Sequence, residues 1–125
     1  MELSLYIKDK LVSGKRVAIP IMTHPGIELL GKRVLDAVTN GEIHYHAIRV
    51  LNECFPQSAA CTTIMDLTVE AEAFGARLSM SPNEVPSVCG RLLTGYADVE
   101  ALQIPSVESG RMPQYLPVSY THLTL

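Results

Sequence analysis

Ser58-Ala-Ala-Cys-Thr-Thr-Ile-Met-Asp66-Leu-Thr-Val-Glu-Ala-Glu-Ala-Phe-Gly75 decides the fold, because an apolar run here ends on a carboxylate and a helical pattern follows at once. Residues 59–65 are apolar or small, include Thr62, Thr63 and Ile64, and lack strict alternation. Strands covered on both faces read this way, so a parallel sheet is expected. From Thr68 onward Val69, Ala73 and Phe74 take helical spacing, and Gly75 supplies a stop. Asp66 is thereby predicted at the carboxyl end of a strand, where α/β folds carry their chemistry.

Upstream, residues 17–22 (Val-Ala-Ile-Pro-Ile-Met) read as a second short apolar strand, with Pro20 costing it one ladder hydrogen bond. Thr23-His24-Pro25-Gly26 breaks it: Pro25 keeps His24 out of the helical region and Gly26 tolerates unusual backbone geometry. Ile27, Leu30, Val34, Ala37 and Val38 then predict one helix closed by Asn40-Gly41. Ile43, Ala47, Val50, Leu51 and Cys54 predict the buried stripe of another, stopped by Pro56. The order strand, two helices, strand, helix calls for a right-handed crossover between parallel strands. Such a crossover places His24 and Asp66 at the same end of neighbouring strands.

Further along, residues 76–80 and 84–88 flank Ser81-Pro82-Asn83 and predict a hairpin-like excursion. Residues 98–102 make at most a helical turn or two, and Ser109-Gly110 marks a loop. At the start, residues 3–12 can be drawn as a short helix with Leu3, Tyr6, Ile7 and Leu11 on one side.

With 47% hydrophobic and 18% charged residues and a net charge of -3, the chain has the balance of a soluble globular protein. It contains no Lys/Arg block to grip nucleic acid and no apolar run long enough for a membrane span. Three cysteines, Cys54, Cys61 and Cys89, form an odd set without zinc-ribbon spacing. The beginning lacks the pattern of a signal peptide, and a reducing cytoplasm is the expected compartment.

Asp66-Leu-Thr-Val-Glu-Ala-Glu-Ala-Phe-Gly75, Ile19-Pro-Ile-Met-Thr-His-Pro-Gly-Ile-Glu-Leu-Leu-Gly31 and Gly110-Arg-Met-Pro-Gln-Tyr115 together resemble the amino-terminal part of the uroporphyrinogen decarboxylase family. The closer resemblance is to its corrinoid-dependent methyltransferase branch. It implies an α/β fold, the first two βα units of a (β/α)8 TIM barrel plus a small hairpin excursion; a whole barrel needs about 250 residues. On this reading residues 1–116 are an amino-terminal fragment, with residues 3–12 capping the barrel. Residues 117–125 depart from the family at Pro117, show no helical periodicity and are expected to be a non-native tail, which removes His122 from consideration.

The resemblance also implies an activity. The intact enzyme would move a methyl group from a corrinoid protein to a thiol or tetrahydrofolate acceptor, using a zinc ion held by later strands. No ligand to that zinc, and no other cofactor, is expected within these residues, and the chain alone is expected to be inactive. True decarboxylases carry Arg-Gln-Ala-Gly-Arg after the first strand, whose arginines pair with the carboxylates of the tetrapyrrole. Here Thr23 and Ile27 stand in their places, with Gly26 matching the glycine. Losing two bidentate contacts to a polyanion speaks against porphyrin decarboxylation. Uroporphyrinogen decarboxylation stays as an alternative, and a non-catalytic α/β binding module as another.

Asp66 and His24 are the expected catalytic residues, with Thr23, Gly26 and Met65 as substrate contacts. Asp66 matches the aspartate that binds pyrrole nitrogens in the decarboxylases; a helix N-cap is its ordinary alternative, and both roles are compatible. His24 offers a near-neutral acid or base, or else caps the turn. His44 and His46 lie two apart on a helix and so diverge, which removes them as a metal pair. Cys54 and Cys61 read as packing, and Cys89 as a loop residue. Glu70 and Glu72 complement the helix dipole near its start.

Overall fold

The computed structural model describes residues 3–14, 16, 18–58, 60–64 and 66–122. Its centre is α4 (Gly41–Cys54), onto which α2 (His24–Leu29), α3 (Val34–Thr39) and α7 (Met112–His122) pack. Asn40 starts α4 by accepting hydrogen bonds from Glu42 N at 2.9 Å and Ile43 N at 3.2 Å, which satisfies two otherwise orphaned amides. Ala47 and Leu51 are buried as the periodicity predicts, joined by His44 and Ile48, which it did not place there, while Ile43 and Val50 are only half-buried; the helix stops before Pro56. Cys54, expected on that stripe, is exposed instead, because it falls on the last helical turn.

The single helix expected across residues 27–38 is two. Gly31 adopts φ +62, a left-handed conformation that ends α2, and Arg33 then starts α3 through its bonds with Asp36. Breaking the rod lets Ile27, Val34, Ala37 and Val38 all reach one core with Ala47 and Ile64. Gly26 is where α2 crosses α4. A Cβ there would stand 2.1 Å from the carbonyl oxygen of Ala47, so only glycine permits the approach.

Neither expected parallel strand forms a ladder among the described residues; Val17, Ala59 and Met65 lie outside them. The backbone groups of residues 60–64 find other partners. The Ile64 N–H donates to His44 Nε2 at 2.9 Å, its carbonyl accepts from Asp66 N at 3.0 Å, and the Thr62 carbonyl accepts from Thr23 Oγ1 at 3.0 Å. Two side chains and a local backbone turn thus satisfy polar groups that a sheet would pair, and Pro20 has no N–H to offer. The Thr23–Thr62 bond does bring the end of the first apolar run against the middle of the second.

The helix after Asp66 forms as predicted: α5 (Thr68–Ala73) is terminated near Gly75 at φ +96. Val69 is buried on its inner side, whereas Phe74 is exposed. The hairpin excursion is also present. Strands β1 (Arg77–Ser79) and β2 (Ser87–Cys89) pair antiparallel with Leu78 opposite Val88, and Pro82 in the connecting loop accepts from Leu35 N at 3.0 Å. Next comes α6 (Tyr96–Ala101), started by Asp98, which accepts from the Thr94 and Gly95 amides. At the other end, α1 (Leu3–Ser13) is helical as expected, yet Leu11, placed on its apolar side, is exposed.

The absence of helix after Pro117 is not observed: α7 continues to His122. A proline there forfeits one intrahelical bond, at a cost of about 3 kcal/mol in a helix interior. Complete burial of Val118, worth about 1.5–3 kcal/mol, offsets it, as does close packing on α4, where a Cβ on Gly41 would come within 2.5 Å of the Gln114 carbonyl. No helix among the described residues is long and apolar enough to cross a membrane.

Candidate functional site

A carboxylate at the end of an apolar run must find partners or ionise at great cost. Asp66, 8% exposed, finds two on each oxygen. Oδ1 accepts from the Thr68 amide at 3.0 Å and the Thr68 hydroxyl at 2.6 Å. Oδ2 accepts from Arg111 Nη1 at 2.5 Å and the Tyr115 hydroxyl at 2.9 Å. The Thr68 bonds are local, closing the turn that leads into α5, but they are not the expected N-cap: that position is Leu67, whose side chain makes no cap bond. The Arg111 and Tyr115 bonds come from the start of α7, where spacing of four residues puts both side chains on one face.

Arg111 is the hub. Only 7% exposed, it donates from Nε to Glu72 Oε2 at 2.7 Å, from Nη2 to Thr68 Oγ1 at 2.8 Å and from Nη1 to the Val38 carbonyl at 3.4 Å, besides Asp66. The planar guanidinium fork suits this multiple engagement, which an ammonium could not reproduce. Burial opposes its charge, but hydrogen bonds to Asp66 and Glu72 more than compensate, so its pKa rises. Burial likewise pushes Asp66 upward, and the bonds from Thr68 and Arg111 outweigh it, leaving the carboxyl below its usual range. Burial and the neighbouring Asp66 push the Tyr115 phenol above its usual range, so it remains a donor.

Asp66 and Tyr115 share the wall of a cleft of about 290 Å³, together with Ile64, Leu67, Glu70 and Met112. Behind it, His44 is fully buried; its ring meets Tyr115 edge-on at 5.4 Å and its Nε2 accepts from Ile64 N. A ring that accepts through Nε2 is the neutral tautomer carrying its proton on Nδ1.

His24 opens α2 and is exposed, and no hydrogen bond or ion pair joins it to Asp66 among the described residues. Thr23 is buried and donates to Thr62, while Gly26 is buried against α4. Neither lines the Asp66 cleft. Met65 lies outside the described residues. Cys61 is half-buried, and burial pushes its thiol pKa up, away from nucleophilic reactivity. Glu72, read as a dipole partner, also holds Arg111.

Arg111, Tyr115 and His44 were not among the expected site residues. A buried aspartate needs a cation, and Gly110-Arg-Met-Pro-Gln-Tyr115 offers Arg111 and Tyr115 at helical spacing, a signal present in the sequence but weak without knowledge of the packing. Among the described residues no group of three or more His, Cys, Asp or Glu side chains stands ready to hold a metal ion.

No protein-family profile matches the chain, and no curated protein matches it. Among solved structures, a methyltransferase from Methanosarcina mazei is similar, with a TM-score of 0.65 and 24% sequence identity over 83% of this chain and 32% of that one. The chain therefore spans about a third of the length of that structure. At this identity the likeness is one of fold, to part of that structure.

Proposed function

We propose that these residues are the amino-terminal part of a (β/α)8 barrel in the uroporphyrinogen decarboxylase family, on its corrinoid-dependent methyltransferase branch. The whole enzyme, cytoplasmic, transfers a methyl group from a corrinoid protein to a thiol or tetrahydrofolate. The fold likeness to a methyltransferase supports the family. One observation carries the branch: the two positions where decarboxylases present arginines face inward here. Ile27, 1% exposed, sits in the core, and Thr23 turns its hydroxyl to the Thr62 carbonyl. Two uncharged, buried side chains cannot hold a tetrapyrrole polyanion.

In this reading the chain builds one wall of the substrate pocket, the cleft beside Asp66 and Tyr115. Asp66 stays ionised at that wall and supplies negative potential next to a phenol that donates. His24, at the exposed start of α2, is the candidate acid or base. Zinc in such enzymes converts a thiol into a thiolate. The described residues offer no ligand set for it.

The test uses the intact protein encoded by the source gene. Demethylation of methylcobalamin with a thiol or tetrahydrofolate, followed by visible absorbance, is the expected result, and the downstream reading frame in the source DNA should encode His-x-Cys and a later Cys. Decarboxylation of uroporphyrinogen, without methyl transfer, would overturn the reading.

A further inference from the structure

We propose that Arg111 is a positioning residue for the site: it fixes the orientation and the charge of the Asp66 carboxylate at the cleft wall, and Glu72 and the Val38 carbonyl in turn fix Arg111. The role in turnover rests on the proposed function; the positioning itself does not.

The argument is geometric. Of the donors on Asp66, the Thr68 amide and hydroxyl are local to α5 and hold only Oδ1. They leave the carboxylate free to pivot about that contact. Oδ2 is set from 45 residues away by Nη1 of Arg111, with Tyr115 beside it. Arg111 cannot itself drift, because Nε is bound to Glu72, Nη2 to Thr68, and Nη1 also to Val38. Two elements, α3 and α5, thus converge on one guanidinium carried just ahead of α7. Tyr115 lines the cleft and Arg111 does not, so the phenol is the Asp66 partner within reach of a ligand and the guanidinium is the support behind it.

Among the described residues, charged and titratable groups around Asp66 are few: Glu72 and Glu70 on α5, Arg111 just before α7, Tyr115 on α7, and His44 on α4 behind Tyr115. Arg111 is the cation among them that touches Asp66. Without it the carboxylate would face Glu72 and Glu70 with neutral donors only, and its protonation would move up by about one pH unit or more. Lysine keeps a positive charge but loses the fork, so it should restore the charge of Asp66 without restoring its orientation.

The experiment compares Arg111→Lys and Arg111→Gln in the intact protein by two readouts. The first is the carboxyl carbon titration of Asp66 by NMR. The expected result is an upward displacement in Arg111→Gln of about one unit or more and a smaller one in Arg111→Lys. The second is the pH profile of methyl transfer: the acid limb of kcat/KM should move with the Asp66 titration in Arg111→Gln. In Arg111→Lys the limb should stay near its original place while kcat falls about tenfold or more.

An Asp66 titration unchanged in both variants overturns the proposal, as does a Lys variant indistinguishable from wild type in titration and kcat. Should Arg111→Gln fail to fold, the Lys variant decides alone by the same criteria. Should the wild type transfer no methyl group, the proposed function falls, while the titration still decides whether Arg111 positions Asp66.

Discussion

Arg111 Nη1 lies 2.5 Å from Asp66 Oδ2, across 45 residues of sequence, with the two side chains 8% and 0% exposed. The contact closes the chain between the helix that follows the apolar run and the helix that begins at Met112. Thr68, Glu72 and Tyr115 are arranged about it.

Truncating one side of such a pair leaves the other charge buried and unpaired. Arg111→Met is expected to lower the unfolding free energy by about 3–5 kcal/mol, measured by urea denaturation. The double variant Arg111→Met/Asp66→Leu should recover part of that loss, because neither charge then remains. A loss in the single variant below about 1 kcal/mol would mean that solvent already screens the pair.

Stability should decline in acid. The Asp66 carboxyl is held below its ordinary range despite burial, by bonds from Thr68 and Arg111, so the unfolded chain takes up a proton at a higher pH than the folded one. The stabilisation is complete above the unfolded carboxylate value of about 3.9 and is lost as pH falls through the lower folded value. Half-buried Asp36 and Asp98 are shifted the same way, so the contribution of Asp66 is isolated by comparing wild type with Asp66→Asn in denaturation between neutral and acid pH. The Asn variant should show the shallower acid slope.

His44 is expected to act as a backbone acceptor. Replacing it with leucine fills much of the same space but strands the Ile64 N–H, at a cost of about 1–3 kcal/mol. Hydrogen exchange at the Ile64 amide should accelerate in His44→Leu. An unaltered exchange rate would show that this amide has another partner.

Gly26 and Gly31 should fail for different reasons. In Gly26→Ala the new methyl meets the Ala47 carbonyl and Leu51 Cδ1, forcing α2 away from α4 and costing about 1–3 kcal/mol or more. In Gly31→Ala nothing lies within 4 Å, and the penalty is the left-handed backbone alone, about 1–2 kcal/mol. Exchange protection along α4 separates the cases, since only the first substitution should weaken it.

Much of the local structure was legible beforehand. Periodicity located α4 and its Ala47–Leu51 face, the glycine at 75 located the end of α5, and Ser81-Pro82-Asn83 located the hairpin loop. Those features depend on neighbours a few residues apart, which a linear reading sees. The break at Gly31 was missed because the apolar spacing continues across it. The helix through Pro117 was missed because its compensation, the burial of Val118 and packing on α4, comes from residues far away in sequence.

By itself the sequence determined that Asp66 ends an apolar run and starts a helix, since both follow from residue types and their spacing. Only the tertiary structure decided which groups neutralise it. Arg111, Tyr115 and Thr68 meet there, with the Val38 carbonyl holding Arg111, because burying the apolar faces of α2, α3, α4 and α7 together brings distant residues within hydrogen-bond reach. Electrostatic partners of a buried charge are set by that packing, and no local pattern encodes a contact made across 45 residues.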